Sequence, residues 1–355
     1  MEFNDNRAPE LNIAVELSQE LEAFNVDAEV NCRVNKRAID LMRSSGLLAM
    51  TIPAVYGGAE LDVLDNLKVI EQLSYADSAL GWSAMIYSKT AHLGAAMPEH
   101  WARQVYSHQG EGETQVCPIT AGAAAPTGKG RKVDGGIMVT GRWAWGSGAY
   151  HADWIAGGTI VEDNGEIVRL ANGQPAVHLV FFKREEVLLH ENWDPSGLRG
   201  TGSSDFEVTE VFVPEGRWMV LDGITRVLDT PLYRFPALSY FAAAVAVVPL
   251  GIARRALDDF QVLVSANGKT GKSSKTGNSI VQFEFGQAEA LVVSARHVIW
   301  GSTGEMWNQI ISGTDVELED KRQVRLAAVQ ATQMCTQAVA MLYSAAGGAA
   351  LQGHC

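Results

Sequence analysis

Apolar residues recur at intervals of three and four from about Leu11 to Gln109: Leu17, Leu21 and Phe24 form one set, and Ala38, Leu41 and Met42 another. That period is the signature of α-helices with one buried face. Gly and Pro interrupt it at Ser45-Gly46, at Pro53 and Tyr56-Gly57-Gly58, and at Pro98, so the helices are expected to be short. Val63 to Ser88 reads as two apolar helices parted at Ser78. Beyond Gly110 the texture changes. Ala123 to Gly128 reads as a loop, and Lys132 to Phe212 carries runs rich in Val, Ile, Thr, Trp and Phe. Strands are predicted at Ile137 to Trp145, Asp153 to Val161, Ala176 to Phe182 and Phe206 to Val213, with turns at Asp134-Gly135-Gly136 and Asn164-Gly165 and a stop at Pro214. After Pro231 the helical period returns in longer stretches: Phe241 to Val264, Ser279 to Ile311 and about Asp315 to Ala346. In the last, Ala327, Ala331, Met334, Cys335, Ala338 and Leu342 keep one stripe, and Gly347-Gly348 offers a left-handed cap. The pattern predicts an α+β chain with a helical domain over 1–110, a β-domain over 111–220 and a bundle of long helices over 221–355.

Composition narrows the classes of partner. Hydrophobic residues at 47% and charged residues at 19% of 355 exclude a disordered chain. The 41 Asp+Glu against 28 Lys+Arg give a formal net charge of −13, which argues against nucleic acid. Cys32, Cys117, Cys335 and Cys355 show no CxxC spacing, and the eight histidines show no HxxxH or HExxH, so neither a disulfide framework nor a metal is expected. A reduced, cytoplasmic setting is expected. The amino-terminal stretch lacks the basic start and apolar core of a signal peptide. Tyr240 to Ile252, the most apolar run, is too short for a membrane span and reads as a buried helix.

Two phosphate-like motifs dissolve on context. Ala266 to Ser273 has Ala266 where a P-loop needs glycine, and it follows a helical pattern instead of a strand, so it reads as solvated loop. Gly197-Leu-Arg-Gly-Thr-Gly202 offers a partial dinucleotide signal but leads into the alternating strand at Phe206, which argues against a Rossmann site. No GxSxG is present to suggest a serine hydrolase.

Four segments carry a resemblance to a known family. They are Leu47 to Pro53 with Tyr56-Gly-Gly-Ala-Glu60; Gly141-Arg-Trp-Ala-Trp-Gly-Ser-Gly148 with Ala152-Asp153-Trp154; Trp193 to Asp205 with Val211-Phe-Val-Pro214; and Pro249 to Leu257 with Tyr343 to Gly348. Over nearly the whole chain these resemble the acyl-CoA dehydrogenase superfamily of flavoproteins. The resemblance implies an N-terminal helical domain, a middle β-barrel or sheet and a C-terminal four-helix bundle. A flavin ring is planar and apolar with a polar edge, so it asks for aromatic walls and a few hydroxyl or backbone donors. Trp143, Trp145 and Ser147 offer that mixture, and strand alternation would put them on one face. A tryptophan pair filling a sheet core is the alternative reading.

By the same resemblance Cys117-Pro-Ile-Thr120 lines the flavin through Pro118 and Thr120, although Ala121-Gly122-Ala123 replaces the family's acidic triplet. Arg199, Thr201, Ser203 and Ser204 are implied to orient flavin or substrate, and Tyr87 and His92 to line the substrate side, with turn, surface or core roles as the alternatives. Gln282 and the Gly347-Gly348 pair match residues with which family members complete a neighbouring subunit's flavin site, which implies a homotetramer. Dehydrogenation needs a carboxylate base. One family position for it holds Tyr240, Phe241 and Ala242, and the other falls beyond Cys355. The Gly-Arg-Trp and Gly-Leu-Arg-Gly-Thr-Gly-Ser-Ser-Asp segments look more like the superfamily's two-component monooxygenases. Those take reduced FMN or FAD from a separate reductase and transfer one atom of O2 to an aromatic, amine or sulfur substrate. Ser147, Trp145 and His92 are then the candidate catalytic groups; members of that branch carry a histidine in a carboxy-terminal segment near the flavin, and whether His354 takes its place stays open. An acyl-CoA dehydrogenase and a non-catalytic homologue remain the alternatives.

Overall fold

The computed structural model describes residues 8–107, 116–221, 226–269 and 278–351. The chain opens with short helices: α1 (Pro9–Glu22), α2 (Asn25–Asn31), α3 (Lys36–Ser44), α4 (Val63–Ala76), α5 (Ser78–His92) and α6 (Glu99–Tyr106). Eight strands follow: β1 (Thr120–Val133), β2 (Gly136–Trp143), β3 (Trp154–Asp163), β4 (Glu166–Ile167), β5 (Val177–Lys183), β6 (Leu188–Leu189), β7 (Phe206–Pro214) and β8 (Trp218–Val220). A single turn, α7 (Pro231–Arg234), precedes the long helices α8 (Ala237–Lys269), α9 (Ser279–Ile311) and α10 (Leu318–Ala346). Contacts group these into two compact units, one of Ala8–Asp62 with Trp82–Arg234, the other of Val63–Gly81 with the segment from Phe235 onward.

In the helical unit α4 packs beside the long helices as the fourth member of the bundle. Helix α8 carries Pro249 inside it, and its most apolar stretch, which by length and composition passes for a membrane span, is 56% buried within the fold. Gly251 lets α8 approach α4, since a Cβ there would stand 2.3 Å from the Glu71 carbonyl. The same contact carries a buried charge. Glu71, 1% exposed, accepts from Arg254 of α8 at 2.7 Å and from Arg296 of α9. One carboxylate thereby ties three helices, and its desolvation is offset by two guanidinium groups. The stripe read on α10 is buried at Ala327, Ala331, Cys335, Ala338 and Leu342, with Met334 half-buried.

The other unit is built on one mixed sheet of order β6-β7-β2-β1-β3-β5-β8, with β4 paired to β3. The loop expected at Ala123 to Gly128 lies instead inside β1, which runs parallel to β3 and antiparallel to β2. Small residues there signal close approach: at Gly122 a Cβ would sit 2.1 Å from the Ala156 carbonyl, and the β1–β3 register shifts between Ala123 and Gly128. The loop expected from Ala266 starts later, because α8 continues to Lys269; 270–277 lie outside the described residues.

Trp143 sits at the centre of this sheet. It is fully buried, stacks on Phe206 at 5.0 Å between ring centroids, and donates from Nε1 to the Gly158 carbonyl at 2.7 Å. Its indole occupies space that side chains on three strands would take: a Cβ would fall 2.4 Å away from Gly128, 2.7 Å from Gly141 and 2.6 Å from Gly157. Overpacking at such a point forces the ring or a strand to move. Gly157→Ala is therefore expected to destabilise the protein by about 1–3 kcal/mol in urea denaturation. Gly286→Ala, in an exposed turn of α9 where a Cβ meets nothing within 4 Å, is expected to be neutral or stabilising by up to about 1 kcal/mol. Equal effects at the two positions would remove the constraint assigned to Trp143.

Candidate active site

Beyond the paired residues Trp143 and Phe206, β2 and β7 run out into two loops that must lie side by side. Backbone bonds sew them together: Gly146 N–H donates to the Ser204 carbonyl at 2.9 Å and Gly148 N–H to the Thr201 carbonyl at 3.1 Å. Gly148 takes a φ of 73°, and a Cβ there would come 2.5 Å from the Tyr87 ring, so both backbone conformation and space require glycine. The Tyr87 hydroxyl donates back to the Gly148 carbonyl at 3.2 Å.

Within this knot the hydroxyls form a chain. Trp82 Nε1 donates to Ser147 Oγ at 3.0 Å, Ser147 Oγ lies 2.7 Å from Ser203 Oγ, and Ser203 Oγ lies 2.7 Å from Thr201 Oγ1. Thr201 donates to the Leu198 carbonyl at 2.8 Å. Since that carbonyl only accepts, the chain has one consistent direction: Trp82 to Ser147 to Ser203 to Thr201 to Leu198. Ser147 thus receives one proton, gives one inward, and keeps one acceptor lone pair. Ser147, Thr201, Ser203 and Ser204 are all buried, so the loop carries its polar groups satisfied and in fixed positions.

The shared face expected for Trp143, Trp145 and Ser147 is not formed. Strand β2 ends at Trp143, whose ring is enclosed in the sheet core and cannot stack on a ligand. Trp145 lies outside the strand at a φ of 62° with 74% of its surface exposed. A large indole held outward on a left-handed backbone is costly. Thr120 begins β1, and its buried Oγ1 has no partner among the described residues. Pro118 lines a cleft of about 440 Å³ with Val116, Asp153, Trp154 and Arg184. Arg199 is occupied elsewhere: its guanidinium donates to Asp194, the Pro195 and Glu29 carbonyls and Cys32 Sγ, fastening the loop to α2 instead of facing a ligand.

Tyr87 and His92 both fall in this unit and both are buried. His92 Nε2 lies 3.3 Å from the Leu232 carbonyl and its ring packs on Tyr233 at 5.3 Å. Burial, reinforced by the Lys89 charge, lowers its pKa to about 3. It is neutral in this fold and has no charged form to offer near neutrality. Gln282 and Gly347-Gly348 belong to the helical unit. Gln282 is exposed on α9 beside Phe260 and Phe285, and Gly347 closes α10 at a φ of 63°. His354 lies outside the described residues. No group of three metal-ligating side chains occurs among the described residues. One residue the motifs did not reveal is Trp82, which heads the hydroxyl chain.

Comparisons with known proteins identify the family of the chain. Residues 15–99 match the family "Acyl-CoA dehydrogenase, N-terminal domain" and residues 243–354 the family "Acyl-CoA dehydrogenase, C-terminal domain". The chain is 30% identical over 305 residues to an indole-3-acetate monooxygenase of Pseudomonas putida, covering 86% of this chain and 75% of that protein. It is 24% identical over 338 residues to the oxygenase subunit HsaA of a flavin-dependent monooxygenase from Rhodococcus jostii (strain RHA1), covering 90% and 82% of the two chains. The crystal structure of a 3-HSA hydroxylase from Rhodococcus sp. RHA1 superimposes with a TM-score of 0.88 at 22% identity, covering 99% of this chain and 89% of that one.

The histidine burial has a measurable consequence. A base whose pKa falls from 6.5 unfolded to about 3 folded binds fewer protons in the native state between those values, so stability drops as pH falls through that window. At pH 5 the cost is about 2 kcal/mol. His92→Gln is expected to flatten the fall in Tm between pH 7 and pH 5, and an unchanged slope would contradict a neutral, enclosed His92.

Proposed function

Because this chain belongs to the acyl-CoA dehydrogenase superfamily, in its branch of two-component flavin-dependent monooxygenases, we propose that it is an oxygenase component inserting one oxygen atom into a small aromatic substrate. Reduced flavin, when bound, supplies the two electrons that activate O2, one oxygen atom going to substrate and the other leaving as water. A separate reductase delivers that flavin. The protein works in the cytoplasm as a homotetramer, in which Gln282 and the Gly347-Gly348 turn face the flavin site of a neighbouring subunit.

The observation that carries this reading is the state of Ser147. Its one remaining lone pair accepts, and a reduced flavin ring presents N–H groups that need an acceptor. Trp145 supplies an indole face for the ring, and Thr120 brings a hydroxyl that has no partner among the described residues. The residues present therefore fit a flavin. Their roles divide accordingly: Trp145 stacks and excludes water, the Trp82-to-Leu198 chain fixes the Ser147 proton pointing inward, and buried Ser203 and Thr201 hold that direction. Dehydrogenation is disfavoured by the chain's own side chains. At Tyr240 to Ala242 no acid stands, and the Tyr240 hydroxyl is spent on Asn66 Oδ1 at 2.7 Å.

The test supplies chemically reduced FMN or FAD in turn, admits oxygen with an aromatic acceptor, and measures product against hydrogen peroxide. Substrate-dependent oxygenated product with one flavin supports the function and identifies the cofactor; peroxide alone with both would defeat it. Ser147→Ala should fold normally but divert several-fold more of the reduced flavin to peroxide. Trp145→Ala should weaken reduced-flavin binding by about tenfold, equivalent to ~1.4 kcal/mol of lost stacking. An unaltered dissociation constant would return Trp145 to a purely structural role.

A further inference from the structure

A series of hydroxyls carries polarity as well as position, and here both of its ends are fixed. The Trp82 indole can only donate and the Leu198 carbonyl can only accept. Thr201 Oγ1 stands 2.8 Å from the Leu198 oxygen, a separation at which two oxygens with no proton between them repel, so the Thr201 proton is committed there. Ser203 Oγ, 2.7 Å from Thr201 Oγ1, then gives its proton to Thr201, and Ser147 Oγ, 2.7 Å from Ser203 Oγ, gives its own to Ser203. With Trp82 donating at 3.0 Å from the other side, Ser147 has a lone pair for a ligand and no proton for one. Burial of all three hydroxyls keeps bulk water from offering a competing partner.

Flavin chemistry makes that polarity selective. The N5 nitrogen of an oxidised ring carries no proton and accepts, whereas after two-electron reduction it carries an N–H and donates; the N3–H donates in both states. An acceptor-only Ser147 opposite N5 completes a hydrogen bond with the reduced ring and meets the oxidised ring lone pair to lone pair. Away from water the second arrangement leaves two acceptors unpaired, and the first leaves none.

We infer that Thr201, separated from the ring by the Ser203 and Ser147 hydroxyls, sets which redox state of the flavin this site holds: by committing its proton to Leu198 it obliges Ser147 to accept, so the reduced form is retained and the oxidised form released. Thr201 is a positioning residue on this reading, which rests on the flavin site proposed above. Removing its hydroxyl leaves Ser203 without an acceptor on that side. Ser203 then turns its proton to Ser147, and the Ser147 proton is freed toward the ligand. The Leu198 carbonyl stays satisfied, because it also accepts the Thr201 backbone N–H at 3.1 Å, a bond that valine keeps. A change that never touches the ring therefore weakens binding of reduced flavin and strengthens binding of oxidised flavin.

The test measures dissociation constants of oxidised and of anaerobically reduced FMN and FAD for the full chain by ultrafiltration, together with the midpoint potential of the bound flavin. The wild-type protein should bind the reduced form of its flavin at least about tenfold more tightly than the oxidised form. For a two-electron couple that ratio raises the potential of bound over free flavin by about 30 mV. Thr201→Val should remove the preference while binding oxidised flavin more tightly than the wild type does, and Ser203→Ala, which cuts the series one hydroxyl nearer the ring, should act in the same direction. Thr201→Ser, which keeps the hydroxyl, should retain the wild-type ratio and potential. Loss of packing alone would weaken both redox states together. Equal wild-type affinities for the two states, or a wild-type ratio kept in both Thr201→Val and Ser203→Ala, would overturn the assignment. Failure of FMN and FAD to bind in either state would overturn the flavin site and this role with it; if reduced flavin binds and the variants leave the ratio alone, only the role of Thr201 falls.

Discussion

The structure around the candidate site depends on where one indole ring fits. Trp143 lies at the end of β2, stacked on Phe206 of β7 and enclosed by space that glycines on β1, β2 and β3 leave free. A one-residue slip in any of these strands would drive a side chain into the ring, so the register of four strands is specified at a single point. The loops of the candidate site inherit that register. Because Trp143 faces Phe206, the chain leaving β2 and the chain entering β7 emerge together, and the Ser147 and Ser203 hydroxyls meet at 2.7 Å.

Once the loops are adjacent, their polar groups have little freedom. Four hydroxyl or indole donors in series, ending on the Leu198 carbonyl, leave Ser147 with a defined direction of hydrogen bonding. This is preorganisation: the orientation is set by the folded protein before any ligand arrives. The exposed Trp145 is the complementary feature, a backbone strain sustained by neighbours that are themselves pinned. Arg199 belongs to the pinning, since its bonds to α2 and to Asp194 hold the loop that carries Thr201 and Ser203.

Charge is handled differently in the two units. In the helical unit Glu71 is buried against two arginines, a compensated arrangement that positions helices. Along α5 burial acts on Lys89 and His92 in the same direction, lowering the pKa of each and disfavouring its charged form.

Much of this was legible in the sequence. The long helices, the four principal strands and the order of helices, sheet and bundle follow from hydrophobic period and from turn residues, which act locally. The motif at Gly141 to Gly148 and the Thr201 to Ser204 segment singled out two loops that the structure brings together, and for the same reason: glycine and hydroxyl residues mark tight turns wherever they occur. What failed was whatever depended on the third dimension. Period-two alternation put Trp143 and Trp145 on one face, but the strand ends between them, and the backbone turns left-handed at Trp145. The alanine- and glycine-rich run after Thr120 looked like a loop because closeness of a neighbouring strand leaves the same composition as flexibility. Arg199 looked like a ligand-binding group until its four partners were in view. By itself the sequence determined the elements and the residues available for chemistry. Only tertiary structure decided which indole fills the core, which one stands exposed, and that the Trp82 indole heads the hydroxyl chain through Ser147, because those outcomes are set by contacts between segments far apart in the chain.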